Sequence, residues 1–348
     1  METSQYKCPN CGAELVFNPS SQHLSCDFCR SSFTMEQFRE ITAENDSQRD
    51  TAGEQEFESH TNLYTCSSCG AEIMADDNTT ATFCYYCHSP VILSGRLTGD
   101  FKPDKVIGFK IEREQAVDTF KKWCSKKKFI PSDFKSEQQL EKITGLYVPF
   151  WVADCRMDAE FHGIGKHVHS WTSGSYRYTE TKEYSVDRNA KICARGIPAD
   201  GESKIEDLLM ESIEPFDYSE IKPFSMSYFS GFFADKYDVD RAGVFPRIRE
   251  RAAQASREII YGSIAGYSAV TAHHESYEVD RVRWQYIMLP VWFMTYRYKG
   301  EVYEFAINGQ TGKLAGTPPL DKKKLALFSC LVGLIFMIAG FFGGQFLI

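Results

Sequence analysis

The chain has 348 residues, room for two or three domains at roughly 100–200 residues each, and an ordinary globular make-up of 43% hydrophobic, 25% charged and 14% aromatic residues. Its formal net charge is −8. That balance argues against a protein that works by coating a phosphate backbone, because such affinity comes from clustered Lys and Arg.

Twelve cysteines would suit a disulfide scaffold in a short secreted chain. The opening METSQYKCPNC has no apolar signal segment, so a reducing compartment is expected. Eight of the cysteines are paired as C-x-x-C, which in that setting reads as metal binding. Cys8, Cys11, Cys26 and Cys29 form one set, and Cys66, Cys69, Cys84 and Cys87 the other, with fourteen residues between the pairs in both. Each C-x-x-C can put two sulfurs on one side of a tight turn, and two such turns make a tetrahedral S₄ site suited to Zn²⁺. Gly12 and Gly70 follow the second ligand, where a positive φ is useful. Tyr6 matches Tyr64, and CGAE recurs at 11–14 and 69–72, so the segment is duplicated. Two structural zinc ions per chain are expected, in ribbons at 1–33 and 64–95. The remaining Cys124, Cys155, Cys193 and Cys330 are expected to be inert packing residues.

Neither ribbon has a basic stripe. From 64 to 93 the formal charges are Glu72, Asp76 and Asp77 alone. Tyr85 and Tyr86 are expected to pack over the metal turn or to meet a protein partner, and nucleic acid is not the expected ligand. Between the ribbons, residues 34–63 start with a short helix carrying Met35, Phe38 and Ile41 at helical spacing. The rest, 44–60, is acidic and poor in apolar residues, and reads as a flexible linker that leaves the ribbons independently mobile.

The body, 96–320, opens with an amphipathic helix that places Ala116, Val117, Phe120, Trp123 and Cys124 on one face. Its far side and following turn carry Lys121, Lys122, Lys126, Lys127 and Lys128. Such a face is either solvated or, in a membrane-tethered chain, set against anionic lipid headgroups. A second duplication follows. GLYVPFWVADCRMDAEFHGIG at 145–165 resembles IMLPVWFMTYRYKGEVYEFAING at 287–309, each a Pro, an aromatic or branched residue and Trp, then alternating strand residues. Lys299–Gly300 reads as a hairpin turn. A second helix is expected near 239–260, with Val244, Ile248, Ala252, Ala255 and Ile259 inward. The fold class is α+β: two related helix-plus-antiparallel-sheet units sharing one sheet.

No catalytic constellation is read. His162, His167 and His169 cluster without a third ligand, and His273–His274 fare no better. NGQTGKL at 308–314 fails the phosphate-loop spacing, with Ile307 where the first glycine belongs, and reads as a β-turn with Asn308–Gly309 at its apex.

The tail, 325–348, has no charged residue and is long enough to span a bilayer core of about 30 Å. DKKK at 321–324 would keep everything before it in the cytoplasm. The expectation is a single-pass tail anchor in the cell membrane. Ser329, Gly333, Gly340 and Gly344 form a small-residue stripe through which the helix could pair in a homo- or hetero-oligomer.

The cysteine segments resemble zinc ribbons of the transcription-factor-IIB type and rubredoxin-like knuckles. The whole order of paired ribbons, GLYVPFW, YKGEVYEFAINGQTGK and anchor resembles bacterial membrane proteins labelled TFIIB-type zinc-ribbon-containing, sometimes mislabelled primosomal helicase-like. That resemblance implies a non-enzymatic adaptor or scaffold on the cytoplasmic membrane face, with SPFH- or phage-shock-type partners in envelope stress, and it supplies no catalytic residue. The alternative is a nucleic-acid-binding, replication-associated ribbon protein. A zinc hydrolase built on His162–His169 is a third reading.

Overall fold

The computed structural model describes residues 7–13, 15–18, 23–34, 37–38, 40–41, 51–76, 83–98, 101–229 and 232–345. Ribbon 1 has three short strands, β1 (Val16–Asn18), β2 (His23–Ser25) and β3 (Ser32–Thr34), paired antiparallel in that order. Helix α1 (Thr51–His60) runs directly into β4 (Thr61–Cys66), followed by β5 (Glu72–Asp76) and β6 (Val91–Arg96) of ribbon 2. The first half of the body holds β7 (Lys105–Val106), α2 (Arg113–Ser125), α3 (Glu137–Leu140), β8 (Thr144–Ser173) and β9 (Tyr176–Asp200). The second half holds α4 (Asp207–Ile213), β10 (Lys222–Pro223), β11 (Phe233–Asp235), α5 (Arg241–Gly262), β12 (Ala269–Tyr298), β13 (Glu301–Asn308) and β14 (Leu314–Gly316). Helix α6 (Lys322–Gln345) completes the described chain. Strands β4 to β14 belong to one eleven-stranded sheet.

The two duplicated segments are the centre of that sheet, and they pair with each other. Val148 lies opposite Leu289, with Pro149 opposite Met288 on one side and Tyr147 opposite Pro290 on the other. The VPFW and LPVW runs therefore cross antiparallel about a local two-fold axis. The relation extends outward. β11 runs parallel to β8, and β7 runs parallel to β12. The Gly201 N–H donates to Pro149 O at 2.8 Å and the Gly309 N–H to Pro290 O at 2.8 Å. Trp151 Nε1 donates to Val239 O at 2.9 Å, and Trp292 Nε1 to Ile111 O at 2.8 Å. Each acceptor sits just before a helix N-cap, Asp240 for α5 and Glu112 for α2. A buried indole N–H needs an acceptor, and each tryptophan finds it at the root of a helix.

The helices are exchanged between units. α2, from the first unit, packs Ala116, Phe120 and Cys124 against Trp292, Met294, Tyr296 and Phe305 of the second. α5, from the second, packs Val244, Phe245, Ile248 and Ala252 against the first unit's hairpin, with Arg251 donating to Pro198 O at 2.8 Å. Each unit thus completes the other's core. The α2 stripe is as expected. On α5 the buried stripe runs Val244, Ile248, Ala252, Ser256, Ile260, and Ile259 is exposed. A strict i+4 run carries the contact line one residue past the expected Ala255 and Ile259.

Three further expectations are corrected. The acidic stretch read as a flexible linker is helical over Thr51–His60; residues 42–50 lie outside the described ones. Its single aromatic, Phe57, is buried and meets Phe224 edge-on at 6.0 Å. Burying one Phe is worth about 2–3 kcal/mol, enough to hold a short helix that its own charges would not. Second, ribbon 2 is not an independent unit, because β5 pairs with β11 in the body sheet, Met74 opposite Ala234. Third, Cys124 and Cys155 are buried as expected, whereas Cys193 and Cys330 are exposed. The Asn308 turn also differs in detail: Asn308 is its base, and Gly312 takes the positive φ of 75°.

In α6, Leu327, Phe328, Leu331 and Leu334–Met337 are exposed, and the described side chains stop at Met337. Among the described residues no helix is long and apolar enough to cross a membrane. The span expected at 325–348 extends past those side chains, as do Gly340 and Gly344; Ser329 and Gly333 are exposed on the described part.

Candidate metal centres

Four identical turns build the two sites. In each, the first cysteine's N–H bonds to the carbonyl five residues on, and its carbonyl accepts the N–H four residues on. Cys8 does so with Ala13 and Gly12, Cys26 with Ser31 and Arg30, Cys66 with Ala71 and Gly70, and Cys84 with Ser89 and His88, at 2.7–2.9 Å throughout. The residue after the second ligand has positive φ in every turn: Gly12 78°, Arg30 62°, Gly70 72°, His88 59°. Glycine takes that conformation without penalty, but Arg30 and His88 do not, so the turns themselves hold them there. The sulfurs of each ribbon thereby converge on a point.

All four ligand atoms of each set lie within 4.8 Å of one another. Cys8 and Cys29 Sγ are 3.6 Å apart and Cys11 and Cys26 3.4 Å; Cys66 and Cys87 are 3.5 Å apart and Cys69 and Cys84 3.6 Å. A tetrahedron with Zn–S bonds of about 2.3 Å has edges of about 3.8 Å, so both sets need only a slight expansion to hold the ion. Four thiols this close do not ionise independently. Hydrogen bonds from Cys11 and then Cys8 pull Cys29 far below the ordinary thiol range, and those to Cys29 and Cys8 push Cys11 far above it. A divalent cation removes that conflict by accepting four thiolates at once. The donor set, the distances and the turns fit Zn²⁺, and four thiolates would fill its tetrahedral coordination.

Each ribbon is fastened to the body by a residue that its spacing does not reveal. In ribbon 1 it is Asn10, inside the first C-x-x-C and fully buried. Its Nδ2 donates to Asp280 O at 3.1 Å and Ser31 Oγ at 2.8 Å, and its Oδ1 accepts from the Val282 N–H at 3.0 Å. Its carbonyl accepts from Trp284 Nε1 at 2.7 Å. Asp280 is the extra residue where the β12 register shifts between Val279 and Arg281. The Asn10 amide thus acts as a short strand, satisfying backbone groups that the bulge leaves over. The available signal was the contrast of CPNC with CSSC, in which exposed Ser68 takes the place of Asn10.

In ribbon 2 the fastening is a buried carboxylate. Tyr85 and Tyr86 are buried and both donate to Asp235, Tyr86 to Oδ2 at 2.7 Å. They do not lie exposed on the ribbon, as a base-stacking role would need. Burial pushes Asp235 up to about 7 against those two hydrogen bonds, and pushes nearby Glu202 up to about 9 with the help of the Asp235 charge. His88 Nε2 lies 2.8 Å from Thr295 Oγ1, and burial lowers its pKa.

The histidines of the body are placed differently. His162 Nδ1 is 2.7 Å from Asp187 Oδ1 and its ring stacks on His274 at 6.0 Å. His169 stacks on Trp171. Among the described residues, the groups able to hold a metal are the two cysteine sets.

A relative spans nearly the whole of this architecture: Uncharacterized protein YdjG of Bacillus subtilis (strain 168) is 34% identical over 342 residues, covering 98% of this chain and 95% of its own. The chain belongs to the YdjG family. No family model and no solved structure matches it. The match spans the stretches of this chain that hold both ribbons and both body units.

Proposed function

We propose that this chain is a non-enzymatic membrane adaptor of the TFIIB-type zinc-ribbon kind. Two structural zinc ions shape its cytoplasmic ribbons, its tail helix holds it at the membrane, and the ribbon–body assembly recruits soluble proteins, those of SPFH or phage-shock type included. The observation that carries this reading is the outer edge of ribbon 2. β6 is the last strand of the sheet and pairs on one side, with β4. Ile92 and Leu93 on it are 63% and 60% exposed. Over Val91–Leu93, before the register shift at Ser94, this strand edge carries exposed branched side chains and offers a template for an extended segment of another protein. The second zinc centre fixes its start, since Val91 pairs with the ligand Cys66.

Affinity capture from detergent-solubilised membranes tests the proposal. Wild type should retain a soluble protein that the double variant Ile92→Arg, Leu93→Arg loses, with two zinc ions still bound to both. Capture unaffected by the variant would remove β6 as the docking edge. Salt-sensitive, sub-micromolar binding of the full chain to DNA or RNA would favour the replication-associated reading instead.

A further inference from the structure

The root of α6 is pinned to the turn that follows α2. The Asp321 N–H donates to Phe129 O at 2.7 Å. Lys324 Nζ donates to Ile130 O at 2.8 Å and Ser132 Oγ at 3.1 Å. The Phe328 ring meets Phe129 at 5.2 Å. These contacts set the turn after α2, and the lysines leading into it, beside the first turn of α6. Lys121, Lys122, Lys126, Lys127 and Lys128 come from α2 and its turn, and Lys322 and Lys323 from the first turn of α6; all seven are exposed. The nearby acid Asp321 is used as the α6 cap, accepting from the Lys323 and Lys324 N–H groups at 3.0 and 3.3 Å. Asp133 is used by the Tyr296 hydroxyl at 2.9 Å. Lys127 lies over the half-buried Trp123 ring at 5.0 Å. Immediately beyond this collar the helix turns apolar, and the four consecutive residues Leu334–Met337 are exposed on all sides.

We propose that this lysine collar binds the phosphodiester headgroups of anionic phospholipids where α6 enters the bilayer. The inference rests on the tail-anchor reading and adds the lipid class to it. Ammonium groups grouped around an emerging apolar helix match a negatively charged surface, and an indole beside them matches the headgroup level. The body is then held at a defined height and tilt, with α2 against the membrane.

Lysine acetylation of the full chain in lipid nanodiscs, read by mass spectrometry, tests the collar. Discs of pure phosphatidylcholine are compared with discs containing roughly a third phosphatidylglycerol, near the physiological ionic strength of about 0.15 M. Lys126, Lys127, Lys128, Lys322 and Lys323 should react several-fold more slowly in the anionic discs, and high salt should abolish the difference. Lys191, whose side chain is 76% exposed on the β9 hairpin strand, should react equally in both. Equal rates at the collar in the two discs, with the chain incorporated, would overturn lipid recognition and leave the anchor standing. A chain that enters neither disc would overturn the anchor and the collar together.

Discussion

Asn10→Ala separates a ribbon built into the body from one that hangs on a tether. The Asn10 side chain is fully buried and makes three hydrogen bonds, at 2.8, 3.1 and 3.0 Å. Alanine leaves the Val282 N–H and the Asp280 carbonyl without partners. Val282 is buried and Asp280 is exposed, so one buried group is stranded, and the full chain should lose about 1–3 kcal/mol. The backbone bond from Trp284 and the turn bonds of Cys8 survive the change, so ribbon 1 should keep its zinc. Ser68→Ala, at the matching but exposed position of ribbon 2, should stay within about 0.5 kcal/mol of wild type. Urea unfolding gives the magnitude, and native-state proteolysis around residues 7–41 gives the location. An Asn10→Ala chain as stable and as protease-resistant as wild type would refute the docking.

Metal analysis should find two zinc ions per chain, and Cys8→Ser or Cys66→Ser should each remove about one. The Cys66 variant should be the more damaging to the body, because its ribbon supplies β4, β5 and β6 to the main sheet; iron in either site would count against both assignments. Trp151→Phe and Trp292→Phe each strand one carbonyl, Val239 O or Ile111 O, and should cost a similar amount, about 1–3 kcal/mol by thermal or urea unfolding. A large disparity would break the local two-fold. For pH, the folded Asp235 carboxyl sits near 7 against an ordinary 3.8, so the folded chain keeps a proton that the unfolded chain gives up. Its contribution is therefore most favourable below the ordinary value and falls as pH rises from about 4 to about 7. Asp235→Asn should lessen that fall in a series of unfolding curves, while Glu202, raised from 4.5 to about 9, keeps a slope of its own from about 4.5 to about 9. A variant whose stability falls as steeply as wild type across that interval would contradict the assignment.

Local chemistry was legible and long-range pairing was not. Equal cysteine spacings state the ligand sets outright, and Gly12 and Gly70 announce two of the four positive-φ turn positions. Arg30 and His88 carry the same conformation without a glycine to signal it. Lys299–Gly300 was readable as a turn, and both residues do have positive φ, 54° and 89°. Alternation in the two Pro-aromatic segments shows strands, but nothing in a period-two pattern says that those strands pair with each other or that α2 and α5 are exchanged. The acidic run 44–60 hid Phe57, because composition averages out the one side chain that docks. Asn10 and Asp235 escaped for the same reason: a polar residue in a turn or strand looks solvated until the partner surface is known.

Membrane tethering is common to the adaptor role and the lysine collar, and alkaline carbonate extraction measures it directly. Membranes from cells making the full chain, or a chain ending at Leu320, are washed in carbonate and floated on a density gradient. The full chain should float with the lipid and the shortened chain should stay soluble, folded and loaded with two zinc ions. Release of the full chain into the carbonate wash would contradict a spanning tail and, with it, the adaptor at the membrane.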